Sequence, residues 1–256
     1  MKKIISSRTF AYIVGLTLFF VLWELLSTGI GEKTMILPDP IGALKKTGEL
    51  LQAEYTYRCL GNSLLRLCEG FLLAVVAALL LGIPAGNCPF FRRMLTPAMT
   101  ILKAIPTACF VFLFLVLIGA KNAPVLLVVL IALPILYESV VDGIVRIDGN
   151  VVRAMKIDSG DFWNNLLRIQ IPLMLPSFVV GVSGSFALSF KIEIMAEVLT
   201  GSTTGGIGAA ILGAQKNDPS DLVPVFAYSL IAVATILIIT AVFEGIENRF
   251  KKKTVR

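Results

Sequence analysis

Six long stretches of this chain contain no charged residue, and lysine, arginine and acidic residues collect in the segments between them. A helix needs about 20 mostly apolar residues to cross the hydrocarbon core of a bilayer, which is about 30 Å thick. Each stretch has this length or reaches it past one flanking charge, so the pattern predicts six transmembrane helices. The stretches are residues 9–23, 70–91, 104–120, 122–137, 169–190 and 222–243.

Two further segments have patterns of their own. Residues 198–215 are uncharged but rich in glycine, serine and threonine, which favours a re-entrant segment or loop over a span. Residues 37–51 begin with two prolines and then become amphipathic, with Ile41 and Leu44 set against Lys45. This second pattern predicts a short helix on the outer surface of the membrane.

Basic residues fall mainly on one side of the predicted spans. With the N-terminus in the cytoplasm, the inner segments hold twice as many lysines and arginines as the outer ones. Inner loops of membrane proteins carry such an excess, so both termini are expected in the cytoplasm. The first stretch also resembles a signal peptide, but only weak cleavage positions follow it, so we expect it to remain as a span.

The composition narrows the range of functions. Hydrophobic residues make up 56% of the chain and charged residues 16%, too few to coat a soluble domain of this size. Histidine and a Gly-x-x-x-x-Gly-Lys-Ser/Thr motif are both absent, so the usual general base and a phosphate-binding loop are missing. The four cysteines lack metal-type spacing, and no basic stripe suggests nucleic acid. We therefore expect one transmembrane domain over residues 1–256 with no cofactor of its own.

Two predicted spans carry small residues at four-residue steps, which places these residues along one helical face. Such a stripe lets a neighbouring helix approach closely. The second stripe contains hydroxyl groups, so it is a candidate for lining a solute pathway as well as for packing. The stripes are Gly70, Ala74, Ala78, Gly82 and Gly86 in one span, and Gly181, Ser185 and Ser189 in another.

The longest inner segment, residues 138–168, predicts a helix, a break and a second helix, with two aromatic residues beside the break. Exposed aromatic side chains on a cytoplasmic surface favour a docking site for a partner protein. A helix lying on the membrane surface is the alternative. The residues concerned are Val152, Arg153, Ala154, Ser159, Gly160, Asp161, Phe162 and Trp163.

Several short motifs resemble, in order and spacing, those of permease subunits of binding-protein-dependent ABC importers. They span about residues 36–212 and are most similar to the nitrate, sulfonate, taurine and bicarbonate branch. Residues 143–168 resemble the coupling loop of that family, with Arg153 at its acidic position and Ser159 at its glycine position. The other matches are LPDP at 37–40, NSLLR at 62–66, AIP at 104–106, LPI at 133–135, AEVL at 196–199 and GGIG at 205–208.

The resemblance implies an all-α integral membrane protein with the fold of a type I ABC importer permease and about six spans. It implies a pair of cytoplasmic ATP-binding subunits docked on the coupling loop, so that ATP binds to a partner and this chain is not an enzyme. It further implies a second permease subunit, as a homodimer, and an extracytoplasmic binding protein. The solute would be small and polar or anionic, such as nitrate, a sulfonate, taurine or a vitamin precursor, and the location a bacterial cell membrane.

Ionisable and hydroxyl groups inside spans are costly in a bilayer and therefore mark candidate pathway residues. Glu197 lies in a family motif and can either contact solute or cap the glycine-rich turn that follows it. Arg66 and Lys103 can instead extend their charges toward the nearer surface. Lys191, with Ser185 and Ser189, is expected to help line the route of a small polar or anionic solute, and a place on the outer rim is the alternative for Lys191. The full set of candidates is Arg66, Lys103, Ser185, Ser189, Lys191 and Glu197.

A gradient-coupled secondary carrier is the alternative function for the same pattern. Such a carrier works without an ATPase and favours internal inverted repeats, whereas this sequence shows no strong long-period repeat. An intramembrane enzyme is disfavoured, because no nucleophile and base have a suitable spacing.

Overall fold

The computed structural model describes residues 8–31, 37–157, 162–201 and 205–254, and every regular element in these ranges is a helix. The expectation of an all-α fold is therefore confirmed for the described part of the chain. A π-helical turn, Ser27–Gly31, follows α1, and another, Leu166–Gln170, precedes α8. The helices are α1 Arg8–Leu26, α2 Pro40–Leu50, α3 Glu54–Asn87, α4 Pro89–Ala104, α5 Thr107–Val145, α6 Gly149–Ile157, α7 Phe162–Asn165, α8 Ile171–Thr200, α9 Ile207–Asn217 and α10 Val223–Thr254.

Four helical stretches in the described ranges are long and apolar enough to cross a membrane by themselves, whereas the sequence predicts six spans. These four stretches lie in α3, α5, α7 to α8, and α10. The first predicted stretch lies in α1. The apolar helical stretch there, Thr17–Gly29, runs into the following π-helical turn and is shorter than the four spanning stretches. The third and fourth predicted stretches fall largely within α5, which bends at Gly119, where φ is 78° and ψ is 167°.

The direction of helix packing shows where the third crossing lies. Gly70 of α3 lies against Val128 of α5, and Gly86 lies against Ile144, so α3 and the second part of α5 run parallel. The chain must therefore return across the bundle between them. At 16 residues, α4 is about 24 Å long and too short to do so alone. We infer that α4 and the first part of α5 form this crossing together.

This broken crossing corrects the predicted third span. The crossing begins at Pro89, well before residues 104–120, and that stretch contains the break. Ile105 is extended, with φ −73° and ψ 129°, because the ring of Pro106 disfavours helical geometry in the preceding residue. The apolar count located the second half of the crossing and missed the more polar first half.

The small-residue stripe of α3 is the contact surface for α5, as the sequence predicts. A β-carbon added to Gly70 would lie 2.5 Å from the carbonyl oxygen of Val125, and one added to Gly82 would lie 2.8 Å from Val140 Cγ1. Ala74 and Ala78, between these glycines, are fully buried. The two parallel helices therefore approach at the distance of backbone contact.

The helix α8 completes the core by packing antiparallel to both partners. Gly181 of α8 lies against Ser139 of α5, and the rings of Phe71 in α3 and Phe186 in α8 have centroids 4.9 Å apart. Phe186 also meets Phe243 of α10, at 5.2 Å, which attaches the last helix to this core. The largest cluster of buried side chains lies among α3, α5 and α8.

Two short helices lie where the spans begin and end. The predicted short helix is present as α2, with the Asp39 carboxylate accepting from Gly42 N at 2.9 Å and with Ile41 exposed. Its place on the outer surface of the membrane stays a prediction. The described residues of the stretch 198–215 form the end of α8 and most of α9, an 11-residue helix that packs on α3 and α10. This stretch is too short to cross a bilayer, as expected.

Matched glycine-to-alanine changes in α3 test the close helix contact. We expect Gly70→Ala to lower the free energy of unfolding by about 1–3 kcal/mol, because the added methyl group meets the backbone of α5. The control is Gly61→Ala on the same helix, where an added β-carbon meets no atom within 4 Å. Helix propensity favours both changes equally, so thermal unfolding of the purified protein should separate them, and equal midpoints would contradict the contact.

Candidate functional site

A buried charge cluster joins α3 to α8. The guanidinium of Arg66 donates from Nε to Glu193 Oε1 at 3.3 Å and from Nη2 to Glu197 Oε1. Both glutamates are fully buried, and Arg66 is nearly so. Sequence reasoning leaves Arg66 to extend outward or pair locally. The structure corrects this, because Arg66 points inward and spans the interface between two helices.

Glu197 connects three separate elements. Beyond the bond from Arg66, its carboxylate accepts from Ser63 Oγ of α3 at 2.9 and 3.0 Å, and from the backbone N–H of Gly208 at 2.8 Å. Ser63 Oγ in turn accepts from Ile207 N at 2.9 Å. Glu197 thus satisfies the N–H of Gly208 and Ser63 that of Ile207 at the start of α9, so Glu197 has one of the two roles that the sequence leaves open for it.

The glycine-rich turn before α9 fits tightly around this carboxylate. A β-carbon added to Gly206 would overlap the Glu197 carboxylate and the Arg66 guanidinium, and one added to Gly208 would lie 2.5 Å from Glu197 Cβ. Gly205 has a φ of 66°, which favours glycine, and its carbonyl oxygen accepts from Asn62 Nδ2 at 2.8 Å. The glycines therefore allow the backbone to approach the charged groups.

The serine stripe of α8 continues into this cluster. Ser185, Ser189, Glu193 and Glu197 follow at four-residue steps, and all four are fully buried on one face of the helix. Ser185 Oγ donates back to Gly181 O at 2.6 Å. Lys191 is exposed and lies on a different face of α8, so the structure does not bring it together with the two serines.

A second ion pair lies in the broken crossing. Lys103, at the end of α4, pairs with Glu138 of α5, and their side chains are 39% and 53% exposed. The pair places Lys103 beside the break at Pro106, where α4 ends and α5 begins.

A neutral amide pair joins α3 to the start of α8 at the opposite end of their interface from the charge cluster. Asn87 Nδ2 donates to Gln170 Oε1 at 3.0 Å, and Gln170 Nε2 donates to Asn87 Oδ1 at 2.9 Å. Gln170 closes the π-helical turn that leads from α7 into α8. The pair therefore connects α3 directly to the predicted coupling loop.

The predicted coupling loop is partly described. Val152, Arg153 and Ala154 are exposed on α6, and the Trp163 side chain is 63% exposed on α7. The predicted break at Ser159 and Gly160, with Asp161 as cap, lies outside the described residues. Phe162 begins α7 as predicted, although its side chain is likewise outside the description. The two helices on either side of the expected break are thus present.

Several residues of the site were missed by sequence reasoning. Ser63 lies in the NSLLR motif and Glu193 lies one helical turn before Glu197, but sequence reasoning assigns no site role to Ser63, Glu193, Asn87 or Gln170. Extending the four-residue step from Ser185 along α8 reaches both glutamates, so this signal was available. Among the described residues, no group of three or more cysteine, aspartate or glutamate side chains could hold a metal ion.

Comparison with known proteins gives a consistent set of similarities. Residues 71–254 match the sequence profile described as "Binding-protein-dependent transport system inner membrane component". The nitrate import permease protein NrtB of Synechococcus elongatus is 28% identical over 212 residues, covering 77% of this chain and 73% of that one. The putative aliphatic sulfonates transport permease protein SsuC of Bacillus subtilis is 23% identical, covering 84% and 79%.

Two further similarities concern length and fold. The glycine betaine/proline betaine transport system permease protein ProW of Escherichia coli is 23% identical over 218 residues. That alignment covers 85% of this chain but only 58% of the relative. A chain of the MetNI methionine ABC transporter, in an inward-facing conformation, superposes with a TM-score of 0.62 at 14% identity, covering 77% of this chain and 96% of that one. The latter supports a shared fold.

Removing Arg66 tests whether the cluster holds the helices together. We expect Arg66→Met to lower the free energy of unfolding by about 3–5 kcal/mol, because the buried carboxylate of Glu197 loses its cation. Arg58→Met on the same helix is the control: Arg58 pairs with Glu54 but is 74% exposed, so its loss should change stability by less than about 1 kcal/mol. Denaturation in detergent measures both, and equal effects would show that burial of the cluster contributes nothing.

Proposed function

The chain belongs to the family of binding-protein-dependent transport system inner membrane components, and from this premise we propose that it is the permease subunit of an ATP-driven importer. Members of this family are multi-pass inner membrane proteins that do not carry the ATPase activity, and ATP binds to a partner subunit. The absence of a phosphate-binding loop in this sequence agrees with that division of labour.

The observation that carries the proposal is the position of α6. This nine-residue helix lies between α5 and α8, which pack against each other, and it exposes Val152, Arg153 and Ala154. Trp163 adds a large exposed aromatic side chain a few residues later. We infer that these residues bind a cytoplasmic ATPase subunit, together with Ser159, Gly160, Asp161 and Phe162 in the connecting segment.

The contacts of the helices before and after α6 suggest how a movement of α6 would reach the rest of the protein. The Asn87–Gln170 pair and the helix contacts of α5 and α8 link the docking segment to the three-helix core. At the other end of the interface, Arg66 and Glu197 fix α3, α8 and α9 to one another. Closure of an ATPase pair would then move the core helices through these contacts and alternate the access of the solute pathway.

We assign the pathway wall to the surface around Lys103. A charged pair that is half exposed within the bilayer is expensive unless it faces a water-filled space. In a dimer with a second permease subunit, we expect Lys103 and Glu138 to face that space. Ser185, Ser189 and Lys191 remain pathway candidates in an open conformation that exposes the first two. Arg66 and Glu197 would act there by holding the outer end closed.

The solute class that we propose is small and polar or anionic. Relatives named for nitrate and for aliphatic sulfonates support an anion, whereas relatives named for glycine betaine support a zwitterion. An extracytoplasmic binding protein would deliver the solute, as the family description indicates. A homodimer of this chain with two ATPase subunits completes the proposed importer.

Single changes in the docking segment test the ATPase contact. We expect Val152→Asp and Trp163→Ala each to abolish co-purification of the ATPase, because each removes exposed apolar surface from the contact. The control is Arg93→Ala, an exposed residue of α4 that lies outside the predicted coupling loop. Retention of the ATPase by both docking variants would contradict the assignment.

Opposite changes in the ion pair test the pathway and the solute charge together. In vesicles supplied with ATP, the ATPase and the binding protein, we expect Lys103→Gln to raise the KM for an anion several-fold, because Glu138 is left unpaired. Glu138→Gln should lower it, and Lys46→Gln on the exposed face of α2 should leave it unchanged. Equal KM values in all three would exclude Lys103 from the pathway, and uptake without ATP would favour a gradient-coupled carrier.

A further inference from the structure

The buried cluster contains more acidic than basic groups. Arg66 provides one positive charge, and Glu193 and Glu197 provide two negative charges if both are ionised. All three side chains are buried between α3 and α8. A lone uncompensated charge in such a place costs several kcal/mol even after relaxation of the protein around it. The cluster therefore requires one further positive charge, or one carboxyl group that is not ionised.

The two glutamates have very different hydrogen-bond surroundings. Glu197 accepts from Ser63, Arg66 and the backbone N–H of Gly208, which together stabilise an ionised carboxylate. Glu193 accepts a single long bond, from Arg66 Nε to its Oε1 at 3.3 Å. Its other oxygen, Oε2, is fully buried and has no partner among the described residues.

Ser189 is a second buried polar residue near Glu193 whose side chain lacks a hydrogen-bond partner among the described residues. It lies one helical turn before Glu193 on the same face of α8 and is fully buried. Its Oγ also has no hydrogen-bond partner within the described ranges. A hydroxyl oxygen accepts a hydrogen bond readily, whereas an ionised carboxylate has no hydrogen to donate.

We propose that Glu193 binds one proton in the folded protein and that the cluster of Arg66, Glu193 and Glu197 is electrically neutral. The proton sits on Oε2, the oxygen that has no partner among the described residues, and turns it into a hydrogen-bond donor. The groups that act electrostatically on Glu193 are Arg66 and Cys68 of α3 and Glu197 of α8. Arg66 then neutralises Glu197 alone.

The bound proton couples this interface to pH. When α3 and α8 separate at this end, water reaches Glu193, the proton passes to water, and the cluster becomes negative. The folded, closed state thus holds a proton that an open or unfolded state releases. Because the closed state binds more protons, raising the pH weakens it, by at most about tenfold in the equilibrium constant per pH unit.

Two glutamine variants separate Glu193 from Glu197, since glutamine has the shape of a neutral carboxylic acid. We expect Glu193→Gln to be as stable as the wild type at acidic pH and more stable at alkaline pH. We expect Glu197→Gln to be destabilised at every pH, because Gly208, Ser63 and Arg66 lose an ionised acceptor. Glu69→Gln, an exposed change on α3, is the control that should follow the wild type. The measurement is thermal unfolding of the full chain across neutral pH.

Infrared spectroscopy provides a readout that does not depend on stability. At neutral pH the wild type should show the carbonyl stretch of a buried protonated carboxylic acid, and Glu193→Gln should lack it while Glu69→Gln retains it. Absence of this band from the wild type, or its persistence in Glu193→Gln, would overturn the proposal. A second result would also overturn the proposal. If sodium or potassium, compared with choline, stabilised the wild type but not Glu193→Gln, a bound cation would supply the missing positive charge.

Discussion

Burial of the Arg66 guanidinium between two glutamates of α8 is the interaction on which one end of the bundle depends. A bilayer offers no water to polar groups, so each must find its partner inside the protein. Here Arg66 of α3 donates to Glu193 and Glu197 of α8. Glu197 also accepts from Ser63 and from the backbone at the start of α9. Removing any one member leaves others buried without a partner.

The two ends of the α3–α8 interface are held by different chemistry. The charge cluster closes one end and is insulated from solvent by glycine-rich backbone. The Asn87–Gln170 pair closes the other end with two neutral hydrogen bonds, each worth about 1 kcal/mol net. The end near the predicted coupling loop is therefore held by uncharged groups.

The sequence predicts much of the fold and only part of the site. Apolar length located most spans, and the stripe from Gly70 to Gly86 correctly indicated a close helix contact, because both are local properties of the chain. The third crossing escaped because α4 carries too many polar groups to count as apolar. Sequence reasoning left Arg66 to extend outward or to pair locally. Its partner Glu193 lies 127 residues away in the sequence, and helix packing, which residue spacing does not reveal, brings the two together. The continuation of the serine stripe into Glu193 was visible and could have corrected this.

The breaks in helical geometry within the core are concentrated in the crossing formed by α4 and the first part of α5. The parallel pair of α3 and the second part of α5 is locked by glycine contacts at a constant register, and sliding it by one residue would drive side chains into backbone. The third crossing, in contrast, is interrupted at Ile105–Pro106 and ends at the bend of Gly119. The third crossing therefore has two points, one in its middle and one at its end, where its helical segments can change their angle relative to the fixed α3–α5 pair.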